Sequence, residues 1–240
     1  DIGIGILSGL WLVLRHGLRI VHARSYVPAV MALVLQRLTQ VRFVFALRGF
    51  WADERLDGGL WPRDGRMYRI AKWFERRFLL DADHVVSLTH AAVREIEQFD
   101  YLRGKVPTIS VIPTCADLER FIAVAPDREG FVLGYVGSAG TWYLFDAVVD
   151  CFQQMRRLRP DARLLIVNRN EHGYILERLV ACDVPLEAVE LRAANHSEVP
   201  VQMSRMHAGV FFYKPSYSRA ACSPTKLGEF LGCGIPCLSN

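Results

Sequence analysis

The sequence lacks most of the short motifs that would name a chemistry outright. It contains no CxxC pair, no cysteine or histidine spacing of the zinc type, no Walker sequence, no HExxH and no Ser-His-Asp order, so zinc modules, P-loop nucleotide hydrolysis and triad hydrolysis are not indicated. Its six cysteines, Cys115, Cys151, Cys182, Cys222, Cys233 and Cys237, are scattered and mostly lie in apolar runs. They read as reduced, buried thiols of a cytosolic protein. No apolar run is long enough to span a bilayer. The opening IGIGILSGLWLVL is cut by Arg15 and His16, short of the roughly 18–20 residues a spanning helix needs. No signal-peptide cleavage pattern follows it. A helix packed on a sheet is the expected role, with interfacial membrane contact as the lesser alternative. There is no short-period repeat and no low-complexity tract. The net charge of +4 suits an anionic substrate or a membrane surface and does not demand nucleic acid.

What remains is a chain of 240 residues, 51% hydrophobic and 22% charged, which fits a globular protein of one or two domains with ample core. Strand-like and helix-like segments alternate almost throughout, the pattern of a parallel sheet with helices on both faces. RIVHAR precedes a helix over 26–38. RFVFAL precedes a polar loop, RGFWADERLDGGLWPRDG. A helix over 66–80, the strand HVVSL, a helix from Thr89 and the strand TISVIP complete a first half. Between Phe121 and Gly130 the composition turns polar, with Pro126, Asp127, Arg128 and Glu129 in a row, as in a linker. A second series follows: FVLGYV, the turn GSAGT, a helix over 142–158, RLLIV, a helix over 174–181, VELRA, a helix over 201–206, GVFFY, a helix from Ser223, and PCL. The expected fold is α/β, with two doubly wound Rossmann-like halves over 1–124 and 125–240. Both look cut: the first has no leading strand, and the second ends in a strand with no helix to cover it.

Ligands of open α/β sheets bind outside the carboxyl ends of the strands. That rule selects His22, Arg24, Arg48, Asp53, Glu54 and Thr89 in the first half, and Gly137, Ser138, Gly140, Arg169, Lys214, Lys226 and Glu229 in the second. Were the halves to face each other, these would line one cleft. Arg48, Asp53 and Glu54 flank Trp51, an aromatic among charges that suits a hydroxylated substrate; a solvated loop with internal ion pairs is the plain alternative. The turn from Gly137 to Gly140 would bring backbone close to a phosphate. Asp81-Ala82-Asp83 lies between a helix and a strand at the opposite edge and reads as a structural connection. The helix over 66–80 carries a basic stripe, Arg69, Lys72 and Arg76, opposite Ile70, Trp73 and Phe74. A packed amphipathic helix accounts for it, with an anionic membrane as the lesser reading.

The most informative stretch is SPTKLGEFLGCGIP, 223–236. Ser223 is a good N-cap, Pro224 suits the first helical position, and Gly232 and Gly234 bracket the exit. Lys226 then falls at the third helical position, where the macrodipole already supplies positive charge. An anion on the free N–H groups of the first turn would make the lysine a second donor to the same charge. Glu229 follows at i+3 on the same face. The plain alternative is a surface helix with a Lys226–Glu229 ion pair.

The segment AGVFFYKPSYSRAACSPTKLGEFLGCGIPCLSN resembles the donor-binding segment of the retaining glycosyltransferases of the GT-B fold, family 4 or group 1. ADHVVSLTHAAVREI, VIPTCADLERF, HARSYVPA and RGFWADE are similar to further parts of that family. The resemblance implies two facing Rossmann domains and no cofactor beyond a nucleoside-diphosphate sugar as co-substrate, with no required metal. That donor would be held mainly by the second domain, through Gly137, Ser138, Arg169, Lys214, Ser223, Thr225, Lys226 and Glu229. A glycan or lipid-linked acceptor would be held mainly by the first. Glu229 would meet the donor ribose, and the N-terminus of the Ser223 helix the diphosphate. It further implies polysaccharide synthesis in the cytoplasm, at or near the inner face of the cell membrane. Two departures stand out: the glutamate the family commonly carries eight positions before Glu229 is Ala221 here, and Ser138 and Thr141 stand where basic residues often follow the first strand of the second domain. Ala221 keeps open a non-catalytic nucleotide-sugar-binding module, and a nucleotide-sugar epimerase shares the same layout.

Overall fold

The computed structural model describes residues 1–123 and 130–240. These form two units, one of Asp1–Thr114 with Pro215–Ser223 and the other of Cys115–Lys214 with Pro224–Asn240. The division falls earlier than the expected 124/125, and burial explains why. Phe121, just 1% exposed, belongs to the second core, whereas Ala221, equally buried, belongs to the first. The polar run Pro126–Glu129 expected as a linker lies outside the described residues.

The first unit holds an all-parallel sheet in sequential order, β1 (Ile20–Arg24), β2 (Arg42–Leu47), β3 (His84–Ser87) and β4 (Ile109–Val111). Phe43, Phe45, Phe78, Val85 and Ile96 are fully buried in its core. Its helices are α1 (Ile2–His16), α2 (Tyr26–Thr39), α3 (Trp51–Asp57), α4 (Arg66–Asp81) and α5 (His90–Glu97). α1 packs on α2 more than on the sheet. A Cβ added at Gly5 would lie 2.6 Å from Met31 Sδ, and one at Gly9 would lie 2.7 Å from Leu35 Cδ1, so two glycines one turn apart let the helix backbones approach. α3 replaces part of the expected loop 48–65. Thr89 caps α5 by accepting from the Ala92 N–H at 3.0 Å. The Asp81–Asp83 connection is structural: Asp81 pairs with Arg77 at 2.5 Å, and Asp83 accepts from the Phe43 N–H at 2.8 Å.

The second unit holds β5 (Val132–Val136), β6 (Arg163–Val167), β7 (Val189–Arg192), β8 (Ala208–Val210) and β9 (Cys237–Leu238), all parallel in the order β7-β6-β5-β8-β9. β5 is buried along its whole length, as a central parallel strand covered on both faces should be. The helices are α6 (Phe145–Leu158), α7 (His172–Ala181), α8 (Val199–Met203) and α9 (Thr225–Gly232). α6 starts later than expected because Tyr143 is spent on an antiparallel bridge with Tyr213. Phe230 clamps α9 onto β8: a Cβ at Gly209 would meet its ring at 2.6 Å. The order of strands reverses between β5 and β8, the switch point at which doubly wound sheets bind ligands. The six cysteines are all free thiols, but only Cys233 is buried and Cys115 is exposed, because several of the apolar runs end at the surface. No helix among the described residues is long and apolar enough to cross a membrane.

Candidate functional site

At the carboxyl end of β5 the chain turns through Gly137 at φ 109°, a conformation that favours glycine. Its N–H donates to the Val167 carbonyl and its carbonyl accepts from Asn168 Nδ2, each at 2.9 Å. Steric room excludes a side chain as well, since a Cβ at Gly137 would stand 3.0 Å from Lys226 Nζ. Lys226 therefore reaches from the first turn of α9 across the switch point to the β5 turn.

The surroundings of that ammonium are unusual. Nζ is buried and has no hydrogen-bond partner among the described residues. It lies 4.0 Å from the ring centroid of Tyr143, 5.4 Å from Phe211, 5.5 Å from Tyr135 and 6.0 Å from Tyr213. The Tyr143–Tyr213 bridge, with ring centroids 4.8 Å apart, assembles half of this cage. Aromatic faces attract a cation, but they accept no strong hydrogen bond from its N–H groups. Burial drives the Lys226 ammonium down to about 8, with the charges of Glu229 and Cys237 opposing. Glu229 is itself pushed above the usual carboxylate range by burial, which His196 and Lys226 counter. The expected surface ion pair is not formed: the two are electrostatic neighbours on α9, and Lys226 Nζ bonds no carboxylate among the described residues.

Other expected donor residues stand differently. Ser223 does not cap α9. Pro224 is the N-cap residue, extended at φ −74° and ψ 117° and with no side-chain cap bond, while Ser223 Oγ accepts from the Thr114 N–H at 3.3 Å. The helix therefore begins one residue late, with Thr225 first and Lys226 second. The glycine turn does not offer all its amides to a phosphate either. The Ala139 and Gly140 N–H groups donate to the Glu171 carboxylate at 2.8 and 3.0 Å. Burial pushes Glu171 up, yet these two amides, Asn168 and Ser138 outweigh it and hold the carboxyl below its usual range. Ser138 is exposed, as are Arg169 and Lys214, which follow β6 and β8. Asn168, 3% exposed, went unforeseen: it bonds Gly137, Glu171 and the Asn170 and Glu171 N–H groups. Its signal was a polar amide closing the apolar run Leu164–Val167.

In the first unit His22 and Arg24 are exposed on β1, and Arg48 follows β2. Burial, and then the neighbouring Arg24 charge, lower the Arg48 guanidinium. Glu54 lies against the Gly49 turn, with Cys222 Sγ 3.5 Å from its Oε1. Asp53 is not a loop residue of a solvated surface. It is 5% exposed on α3 and accepts from Tyr68 at 2.8 Å and Lys72 at 3.0 Å. Glu75, fully buried, takes Lys72, Tyr26 and Tyr101, the last at 2.7 Å. Burial pushes Lys72 down, but Glu75 and then Asp53 outweigh it and raise the ammonium above its usual range. The basic stripe of α4 is thus broken: Lys72 points inward, and Ile70 and Trp73 are exposed. The helix buries Ala71, Glu75, Phe78 and Leu79 instead, one face at helical spacing. Ala221 sits in this unit's core, where a glutamate would need a buried partner.

Residues 3–120 match a family model described as Glycosyltransferase Family 4. No curated protein sequence matches the chain. Solved structures do resemble it. Sucrose-phosphate synthase from Thermosynechococcus elongatus superposes with a TM-score of 0.73 at 16% identity, over 98% of this chain and 59% of that one. HepE from Anabaena in complex with UDP-glucose gives 0.68 at 13%, over 98% and 62%. The pneumococcal O-GlcNAc transferase GtfA, in complex with UDP and GlcNAc, gives 0.65 at 13%, over 96% and 44%. The chain thus spans about 60% of the length of the first two. At such identities the likeness establishes the fold: two parallel-sheet, Rossmann-like units of the kind these GT-B glycosyltransferases carry, with Family 4 sequence similarity in the N-terminal part.

Proposed function

We propose that the full-length protein is a glycosyltransferase that moves a sugar from a nucleoside-diphosphate sugar to a hydroxyl acceptor, with retention at the anomeric carbon, in cell-envelope or extracellular polysaccharide synthesis. The observation that carries this reading is the Lys226 ammonium, buried without a hydrogen-bond partner at the strand-order switch of the second unit. A buried cation with unmet N–H groups is costly, and a diphosphate would satisfy it. The acceptor hydroxyl oxygen bonds to the anomeric carbon as the bond from that carbon to the diphosphate oxygen breaks, and the hydroxyl proton passes to the departing diphosphate. The negative charge gathering on the departing diphosphate meets Lys226 and the N–H groups of the first turn of α9, a preorganised electrostatic site that needs no metal. Glu229, on the same helix face, accepts from the donor ribose hydroxyls. The residues of the first unit, His22, Arg24 and Arg48 among them, serve the glycan or lipid-linked acceptor. Support comes from the Family 4 match over 3–120 and from relatives of the same fold in complex with UDP and UDP-glucose.

Calorimetric titration of the full-length protein with UDP, GDP and ADP tests the site. One of these nucleotides should bind, and Lys226→Ala and Glu229→Ala should each weaken it by about tenfold or more, the loss of one good polar contact. Unaltered affinity in both variants removes α9 from the donor site. Because Ala221 replaces the expected glutamate, a second reading is a non-catalytic nucleotide-sugar-binding module. It would bind the donor yet release no nucleotide with any acceptor.

A further inference from the structure

Lys226 inverts the usual disposition of a lysine. A lysine ordinarily lays its stem on apolar surface and keeps the ammonium in water. Here the residue as a whole is only partly buried, whereas less than 1 Å² of Nζ meets solvent. A diphosphate oxygen has to come within about 2.7–2.9 Å of Nζ to accept its hydrogen bond, and a surface closed to water is closed to an oxygen of the same size. In this arrangement the lysine cannot touch the anion, so some part has to move first.

The walls are the more firmly held part. Tyr143 and Tyr213 are joined by their antiparallel bridge. On either side the Leu144 N–H donates to the Phe212 carbonyl at 2.9 Å and the Lys214 N–H to the Trp142 carbonyl at 3.0 Å. Asn240 pins Tyr213 again, accepting from its N–H at 2.9 Å and donating to its carbonyl at 2.8 Å. Phe211 stacks on the buried Phe230 at 6.4 Å and 10°, and the Tyr135 hydroxyl donates to the Ser138 carbonyl. Against these tethered rings stands an ammonium on a flexible stem, held by no hydrogen bond among the described residues.

We infer that the cage of Tyr135, Tyr143, Phe211 and Tyr213 is an autoinhibitory seat that parks the Lys226 ammonium away from the anion, and that the side chain swings out of it when a diphosphate binds. The inference rests on the donor reading of Lys226 and adds a competitor to it. The cation–π contacts of the parked state are given up on binding, so apparent affinity falls with the fraction of molecules parked. A cage that merely oriented Lys226 for its ligand would act with the opposite sign: removing a ring would then loosen binding. If the cage parks the ammonium, removing the nearest ring, Tyr143 at 4.0 Å, tightens it.

The test follows the ε-methylene protons of Lys226 by NMR in the full-length protein, assigned through Lys226→Arg, during titration with inorganic pyrophosphate, UDP, GDP and ADP. Before titration these protons, next to the Tyr143 ring face, should lie upfield of those of the exposed Lys214. At saturation with at least one probe they should move downfield to the Lys214 position. Calorimetry should show Tyr143→Leu binding that probe about three- to tenfold more tightly, the effect of losing one cation–π contact. Tyr143→Phe, which keeps the ring, should bind it as the parent does. The inference is overturned, with the donor reading intact, if a probe binds and Lys226→Ala weakens it while the ε-protons stay upfield or Tyr143→Leu binds no more tightly. If no probe binds either the parent or Tyr143→Leu, the donor reading fails and takes the inference with it. Should Tyr143→Leu not fold, the displacement of the ε-protons in the parent decides alone.

Discussion

Two lysines, one in each unit, are withdrawn from water, and they differ in what waits for them. Lys72 on α4 meets two carboxylates, Asp53 and Glu75, and its ammonium is stabilised in spite of burial. Lys226 on α9 meets four aromatic rings and no hydrogen-bond partner among the described residues, and its ammonium is destabilised to about 8. The first arrangement is complete and locks α3 to α4. The second is left open at the point where a doubly wound sheet takes its ligand. Burial alone does not distinguish the two lysines; under the proposed reading the missing partner is what marks Lys226 for a ligand.

The largest way to break the comparison is to remove the satisfied cation. Lys72→Met leaves two buried carboxylates without their shared partner and should cost about 3–5 kcal/mol in urea unfolding. A loss under about 1 kcal/mol would mean that the network is solvated and that the two lysines are less different than they look. Next in size, if the full-length protein transfers sugar as proposed, Lys226→Ala should lower its kcat by about 10²–10³, the effect of deleting one preorganised donor to a developing anion, with little change in stability. An unaltered kcat would demote Lys226 to a packing residue. Smaller still, Lys226→Met should stabilise the ligand-free chain by about 1–3 kcal/mol at neutral pH. The sign follows from linkage. The folded pKa of about 8 lies below the ordinary 10.5, so the cost of the buried ammonium is full below pH 8 and disappears as pH rises to 10.5. Parent and variant stabilities should converge over that window. Lys72 runs the other way: its folded pKa lies above 10.5, so its contribution is complete at neutral pH and is lost only at more alkaline pH.

The same contrast explains what the sequence could reveal. The alternation of strands and helices was legible because each element carries its own periodicity and turn residues, and the observed elements follow it nearly one for one. The unusual placement of Lys226 was legible too, since a lysine in the first turn of a glycine-bracketed helix is locally out of place, while its role stays with the proposed reading. Lys72 was misread for the matching reason: beside Arg69 and Arg76 it looks like one more solvated charge, and only the tertiary approach of Asp53, Tyr26 and Tyr101 turns it inward. Ser223 was misread, and Glu171 went unforeseen, for the same reason. Each satisfies an amide far along the chain, Thr114 in one case and Ala139 and Gly140 in the other, and no local propensity encodes such partners. The unit boundary belongs with them, because the segment 215–223 is claimed by the first core through Ala221.

The most direct test follows the ε-carbon NMR signal of Lys226 through a pH titration of the full-length protein, with and without saturating nucleoside diphosphate. The unliganded protein should titrate near 8, and the bound diphosphate should raise that value by at least about 1 unit, the signature of a cation that has gained its anion. A Lys226 signal that titrates at its ordinary 10.5 without ligand, or that does not move when the nucleotide binds, would contradict the account.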